Sequence, residues 1–188
     1  MFRFQIDDNS EIRILEERHA ETLLALIEQN RERHLEIPQL FSLDEAREYI
    51  RRDLLLFANN KGLGVGIWYR GKLAGAVRYH EIDRTNRSTE FGYWLGLEFE
   101  GKGLITKVCG VMIAHAFEKL KLNRIVIICD TANPKSRAVA ERLGFTDEGV
   151  LRQAELLKDR FIDQAVYSLL ADEWRNGKNE NISANVGK

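Results

Sequence analysis

The chain reads as a single α+β (mixed α/β) domain. Three observations predict this. Three strand-like runs follow one another between residues 64 and 95, joined by short glycine-containing or polar turns. Segments with helical spacing of apolar residues stand on either side of that block. An apolar, β-branched run, Arg124-Ile-Val-Ile-Ile-Cys-Asp130, lies between two helical segments. Successive antiparallel strands followed by helix crossovers indicate α+β or mixed α/β architecture.

Each element has its own signal. Glu11–Glu16 alternates polar and apolar residues, as a strand does. From Arg18 to about Asn30, Leu23, Leu24 and Ile27 recur at helical spacing. Ser42 with Glu45 three residues on has the form of a capping box. It predicts a helix through Ala46, Tyr49, Ile50, Leu54 and Phe57. Residues 64–70 and 73–80 form a hairpin around Gly71-Lys72, since Gly-X suits a two-residue turn. After the polar turn at 83–88, Thr89–Leu95 completes a meander. Ile105, Val108, Cys109, Met112, Ala116 and Leu120 line one helical face. The run 124–130 is a central buried strand. Asn133-Pro134 opens the next helix and Gly144 ends it. Strands over 149–157 and 160–170 give a total of about seven.

The chain has 188 residues, 44% of them hydrophobic, enough for one full core. Two prolines and no Gly/Ser-rich linker argue against a split, so residues 1–175 are expected to form one domain. The polar, periodless stretch 176–188 is expected to fray. Net charge is −1, from 28 basic and 29 acidic residues, without the basic stripe of a nucleic-acid binder. No run approaches the ~20 apolar residues of a membrane span, and the N-terminus lacks the apolar stretch of a signal peptide. Cys109 and Cys129 sit in apolar surroundings, with neither disulfide nor metal-ligand spacing. These features predict a cytoplasmic protein with no membrane, nucleic-acid or metal partner.

Residues 98–107, EFEGKGLITK, place Gly-Lys-Gly between a strand and a helix. Glycines there let backbone N–H groups approach a ligand. The first N–H groups of a helix lack internal partners and carry the positive end of its dipole. A phosphate or diphosphate is their natural occupant. The candidate donors run from Gly101 to Thr106. The segment is neither a Walker loop nor a GxGxxG fingerprint. By itself it is equally a tight turn that caps the helix.

The segment Tyr93–Leu104, Asn133-x-x-Ser136 and Glu141-Arg-Leu-Gly-Phe145 together resemble the GNAT N-acetyltransferase superfamily, most closely its RimJ/RimL-like branch. The resemblance spans about residues 10–172. It implies a twisted, mostly antiparallel central sheet with helices on both faces, and acetyl-coenzyme A as donor. It implies transfer to an N-terminal α-amine, for instance of a ribosomal protein. The family's phosphate-loop pattern falls on Glu100-Gly101-Lys102-Gly103-Leu104-Ile105, departing at Glu100 and Ile105. By the same resemblance, the strands ending at Leu95 and Asp130 diverge around the pantetheine arm. Trp94, Leu95 and Asn133 then join the loop in holding the coenzyme, with the Leu95 amide near the thioester carbonyl.

Acetyl transfer to an amine needs a proton acceptor, donors for the developing oxyanion and stabilisation of the departing sulfur. The resemblance offers Glu155, with Glu90 as the second candidate, for the base. It gives Ser136 to the sulfur. His34, in the segment matching the family's acceptor-side loop, joins Glu155 as a candidate acceptor contact. Direct attack in a ternary complex is expected, with no acetyl-enzyme. Related proteins are often homodimers. Two other readings stay open: an acetyltransferase for a small amine, and a non-catalytic acyl-coenzyme A-binding module.

Overall fold

A computed structural model describes residues 2–32, 37–157 and 159–177. The chain falls into two compact units. The first comprises residues up to Ile82 together with Phe91–Val111; the second comprises Asp83–Glu90 and Met112 onward.

The first unit begins with two short strands, β1 (Arg3–Asp7) and β2 (Ser10–Arg13). They pair antiparallel, with Arg3 opposite Arg13 and a bulge between Gln5 and Asp7. A single 3-10 turn leads into α1 (Ala20–Asn30), and α2 (Leu43–Ala58) follows. The Ser42 hydroxyl accepts from the Glu45 amide at 3.2 Å, so the predicted cap forms. The Glu45 carboxylate does not return to Ser42; it accepts from the Phe41 amide at 2.5 Å. Strands β3 (Leu63–Tyr69) and β4 (Lys72–Asp83) form the hairpin. Its turn is Arg70-Gly71, one residue earlier than expected. Both residues have positive φ, 49° and 78°, the signature of a type I′ turn.

Strand β5 (Ser88–Leu95) belongs to both units: Ser88–Glu90 to the second, Phe91–Leu95 to the first. Helix α3 (Leu104–Glu118) likewise divides at Val111. The remaining elements are β6 (Arg124–Asp130), α4 (Pro134–Arg142), β7 (Thr146–Leu157) and β8 (Arg160–Leu170). The strand order is β1-β2-β3-β4-β5 in the first unit and β5-β6-β8-β7 in the second. The architecture is the mixed α/β one expected, mostly antiparallel, with eight strands rather than about seven. The additional strand is β1. It is short, and no residue of it is buried, so it lacks the apolar alternation that reveals a strand in sequence.

Ile12, Leu23, Ile27, Ile50, Val65, Ile67, Val77, Tyr79 and Phe91 build the first unit's core. Met112, Ile113, Ile125, Ile127, Tyr167 and Leu169 build the second. Cys109 and Cys129 are both buried, as plain core residues are. Asn133 caps α4 by accepting from the Ser136 amide at 3.0 Å, and Pro134 follows it in the first turn. Gly144 takes φ 79° just past the helix end. Helical backbone continues over 171–177. The expected tail begins at residue 176, and 178–188 of it lie outside the described residues. Among the described residues, no helix is long and apolar enough to cross a membrane.

Candidate active site

The first unit carries the glycine loop. After β5, Gly96 donates to the Ala74 carbonyl at 2.8 Å and Leu97 donates to the Asn30 side chain at 2.8 Å. Asn30 is itself fixed, donating to the Leu26 carbonyl at 2.8 Å. These bonds anchor the strand end from which the loop departs. Gly101 and Gly103 have φ of 72° and 70°. A Cβ at either would clash with nothing, so both glycines border open space. The amides of residues 101–106 donate to no carbonyl or side chain among the described residues. Leu104, Ile105 and Thr106 form the first turn of α3, where such donors are expected. Amides left without a protein acceptor among the described residues, at a dipole's positive end, suit a diphosphate. Lys102 donates to the Glu98 carbonyl at 2.5 Å, which holds its ammonium over the same loop.

Trp94 and Leu95 are each 8% exposed. The Trp94 indole N–H is buried with no acceptor among the described residues. Buried donors are nearly always paired, so this one fits an acceptor supplied by a ligand. Gly75 of β4 lies against this strand end. A Cβ there would fall on the Trp94 carbonyl oxygen and 2.9 Å from the Leu95 Cα. The close approach of β4 to β5 therefore requires glycine. A cleft of about 550 Å³, walled by Leu26, Trp68, Leu73 and Glu98, also lies in the first unit. None of the predicted site residues lines it.

The second unit carries the carboxylates. Glu90 ends the parallel ladder between β5 and β6, opposite Val126. Its carboxyl is raised above the ordinary glutamate value, first by desolvation and then by the negative charge of Glu155. The two expected base candidates are thus electrostatic neighbours. Glu155 lies on β7 opposite Ile162 of β8, and its carboxylate accepts from the Gln164 side chain at 2.7 Å. Gln153, two residues before it, has φ 50° and donates its amide to Asp163 at 2.8 Å. This irregularity falls inside a register shift between Leu151 and Glu155 and sets where Glu155 stands on the strand.

Ser136 is buried in the first turn of α4, where the Asn133 cap holds its backbone. Asn133 is committed to that cap through its side-chain oxygen. Thus Glu90 with Glu155, Asn133 with Ser136, and Trp94–Thr106 form three local groupings. His34 lies outside the described residues. The sequence reading missed Gln164, Asn30 and Gly75, which act through long-range pairing. Only the bare presence of glycine in a β-rich run signalled the last of them. Among the described residues, no cluster of three His, Cys, Asp or Glu side chains is placed to hold a metal.

Residues 11–146 match the family model for the GNAT acetyltransferase domain. The chain is 41% identical over 185 residues to YdaF of Bacillus subtilis, whose name gives it as a candidate ribosomal N-acetyltransferase; the match covers 95% of this chain and 100% of that one. It is 30% identical over 172 residues to the ribosomal-protein-serine acetyltransferase of Escherichia coli, covering 89% and 96%. Among solved structures, RimL, the ribosomal L7/L12 α-N-protein acetyltransferase, in complex with coenzyme A superposes with a TM-score of 0.87. That pair shares 26% identity and covers 92% of this chain and 99% of RimL. With a domain match across most of its length and a diphosphate-fitting loop at the start of α3, this chain belongs to the GNAT acetyltransferase family, an N-acetyltransferase whose acyl donor is acetyl-coenzyme A.

Proposed function

We propose that the protein acetylates the N-terminal α-amine of a ribosomal protein in the cytoplasm. The observation that carries this reading is the similarity to the ribosomal-protein-serine acetyltransferase, which extends over nearly all of both chains. Proton chemistry supports it. At pH 7 an α-amine of pKa ~7.8 is roughly 14% neutral, whereas a lysine of pKa ~10.4 is only ~0.04% neutral. Modest general-base help then suffices, which suits carboxylates.

In this mechanism the amides of Gly101–Thr106 and the Lys102 ammonium hold the diphosphate. The family's x-x-Gly-x-Gly spacing is met by Glu98–Gly103, which places both positive-φ glycines on its glycine positions, whereas Glu100–Ile105 ends on Ile105. In the Glu98–Gly103 register Ile105 is no departure from the pattern. Trp94 and Asn133 contact the pantetheine arm, and the Leu95 amide donates to the thioester oxygen as it gains charge. Glu155 takes the proton that the attacking amine loses, directly or through water. Glu90 stands beside it as the second carboxylate, its own carboxyl raised by desolvation and then by the charge of Glu155. The Ser136 hydroxyl hydrogen-bonds the sulfur as the C–S bond breaks. His34 and Glu155 contact the acceptor. Attack is direct, in a ternary complex, so no acetyl-enzyme forms. The nearly neutral chain has no partner in nucleic acid or membrane, and we propose a homodimer as its working form.

The test is incubation of the protein with labelled acetyl-coenzyme A and ribosomal proteins stripped of N-terminal acetylation. Mass spectrometry of proteolytic peptides is expected to find the label on an N-terminal amine. Label confined to polyamines or lysine side chains in a parallel lysate would overturn the acceptor assignment.

A further inference from the structure

Glu155 stands where it does because β7 is irregular. Leu151 lies opposite Gln164 and Glu155 opposite Ile162, so four steps along β7 match two along β8. A ladder unbroken from Leu151 would put Glu155 opposite Arg160 instead. The bulge therefore sets Glu155 back by two residues of β8, about 7 Å at ~3.3 Å per residue. Opposite Ile162 it is a diagonal neighbour of Gln164, close enough for two long side chains to meet. The Gln164 side-chain amide accordingly donates to its carboxylate at 2.7 Å. Opposite Arg160 it would lie four residues along from Gln164, beyond that reach.

The bulge needs something to hold it. Residues 152–154 have no partner in the ladder, and an N–H that leaves a ladder needs another acceptor. Gln153 also takes φ 50°, the left-handed region that is unfavourable for a residue with a side chain. Its amide donates to the Asp163 carboxylate at 2.8 Å. Asp163 is fixed in turn, because its carbonyl accepts from the Thr131 amide, just past β6, at 3.0 Å. One residue of β8 thus ties the bulge on one side to the end of β6 on the other. We propose that Asp163 is a positioning residue: by accepting from the Gln153 amide it fixes the β7 bulge that sets Glu155 beside Gln164. Asp163 takes no proton in the reaction and acts only through the place it gives Glu155. The inference rests on the reading of Glu155 as the base.

The experiment has a kinetic and a spectroscopic arm. Acetyl transfer to a peptide with a free N-terminal amine is measured for the wild type, D163A, D163N, E155Q and D163A/E155Q. D163A is expected to lower kcat by about 10–10²-fold, since a misplacement of ~1 Å can cost ~10²-fold, with KM for acetyl-coenzyme A unchanged. D163N keeps an oxygen acceptor and should retain most of the rate. D163A/E155Q should be no slower than E155Q; an equal fold loss from D163A in both backgrounds would overturn the proposal. In the second arm, the NMR signals of the Gln164 side-chain amide are followed against pH. They should shift as the wild-type Glu155 titrates, stay still in E155Q, and shift severalfold less in D163A. A shift of full size in D163A, or none in the wild type, would overturn the proposal whatever the kinetics. Wild-type kcat in E155Q would remove the base reading instead, and the Gln164 signal would still decide the placement. D163V, a better strand former without an acceptor, replaces D163A if that variant does not fold.

Discussion

Glu90 and Glu155 show how one residue sets another's chemistry. Desolvation, and then the negative charge of Glu155, raise the Glu90 carboxyl above the ordinary glutamate value. E155Q removes a negative charge, so Glu90 should ionise at lower pH than in the wild type. A carbon-detected NMR titration of the Glu90 carboxyl measures this; an unchanged midpoint would show that the two do not interact. If Glu155 is the base, the same variant should lower kcat by roughly 10²–10⁴-fold at neutral pH. Glu155 was legible in the sequence only through family resemblance. Its partner Gln164 was not legible, because the register of β7 on β8, with its shift after Leu151, brings the two together.

The glycine loop belongs to the scale of the element. Neither Gly101 nor Gly103 is hemmed in by neighbours, so substitution there tests backbone conformation alone. An L-residue in the left-handed region costs about 1–2 kcal/mol. G101A and G103A should each lose about that much stability, or relax the loop and weaken coenzyme A binding by calorimetry. Wild-type affinity at wild-type stability would argue against an amide cradle. Gly75 is a different case, since its Cβ would meet backbone that has no room to yield. G75A should cost about 3 kcal/mol or more, seen as a fall in the urea midpoint or as insoluble expression. The sequence marked 101–103 as a functional turn because Gly-Lys-Gly interrupts a strand-to-helix junction. It left Gly75 inside an ordinary hairpin strand, because a close approach between strands has no local signature.

At the scale of the whole molecule, ligand binding and pH both act on stability. Coenzyme A at one hundred times its Kd should raise the unfolding free energy by about 2.7 kcal/mol, if the folded chain alone binds it. A melting temperature indifferent to coenzyme A would contradict the assigned donor. Glu148 supplies an acid-dependent component. The Arg124 guanidinium, then the Ser168 hydroxyl, hold its carboxyl down at about 2, against an ordinary value of 4.5. A group with a depressed native pKa stabilises the fold above its unfolded pKa, and that stabilisation is lost as pH falls through the native one. The loss should therefore run from about pH 4.5 down to about 2. E148Q should flatten the stability profile across that window in denaturant titrations at successive pH values, and an unchanged slope would assign the acid sensitivity elsewhere.

The sequence by itself determined the mixed α/β class, the order of the elements from β2 onward, the caps at Ser42 and Asn133, and the glycine loop. Periodicity, turn chemistry and capping are written within a few adjacent residues, so a local reading recovers them. Strand β1 escaped because, with none of its residues buried, its sequence carries no burial pattern. The turn at Arg70-Gly71 came out one residue early because hairpin register is fixed by pairing across strands, and either dipeptide suits a tight turn. Only the tertiary structure decided that Glu90 and Glu155 interact and that Gln164 holds one of them. Each of these depends on which residues of separate segments come to lie side by side, and that is fixed by the packing of the folded chain rather than by any short stretch of it.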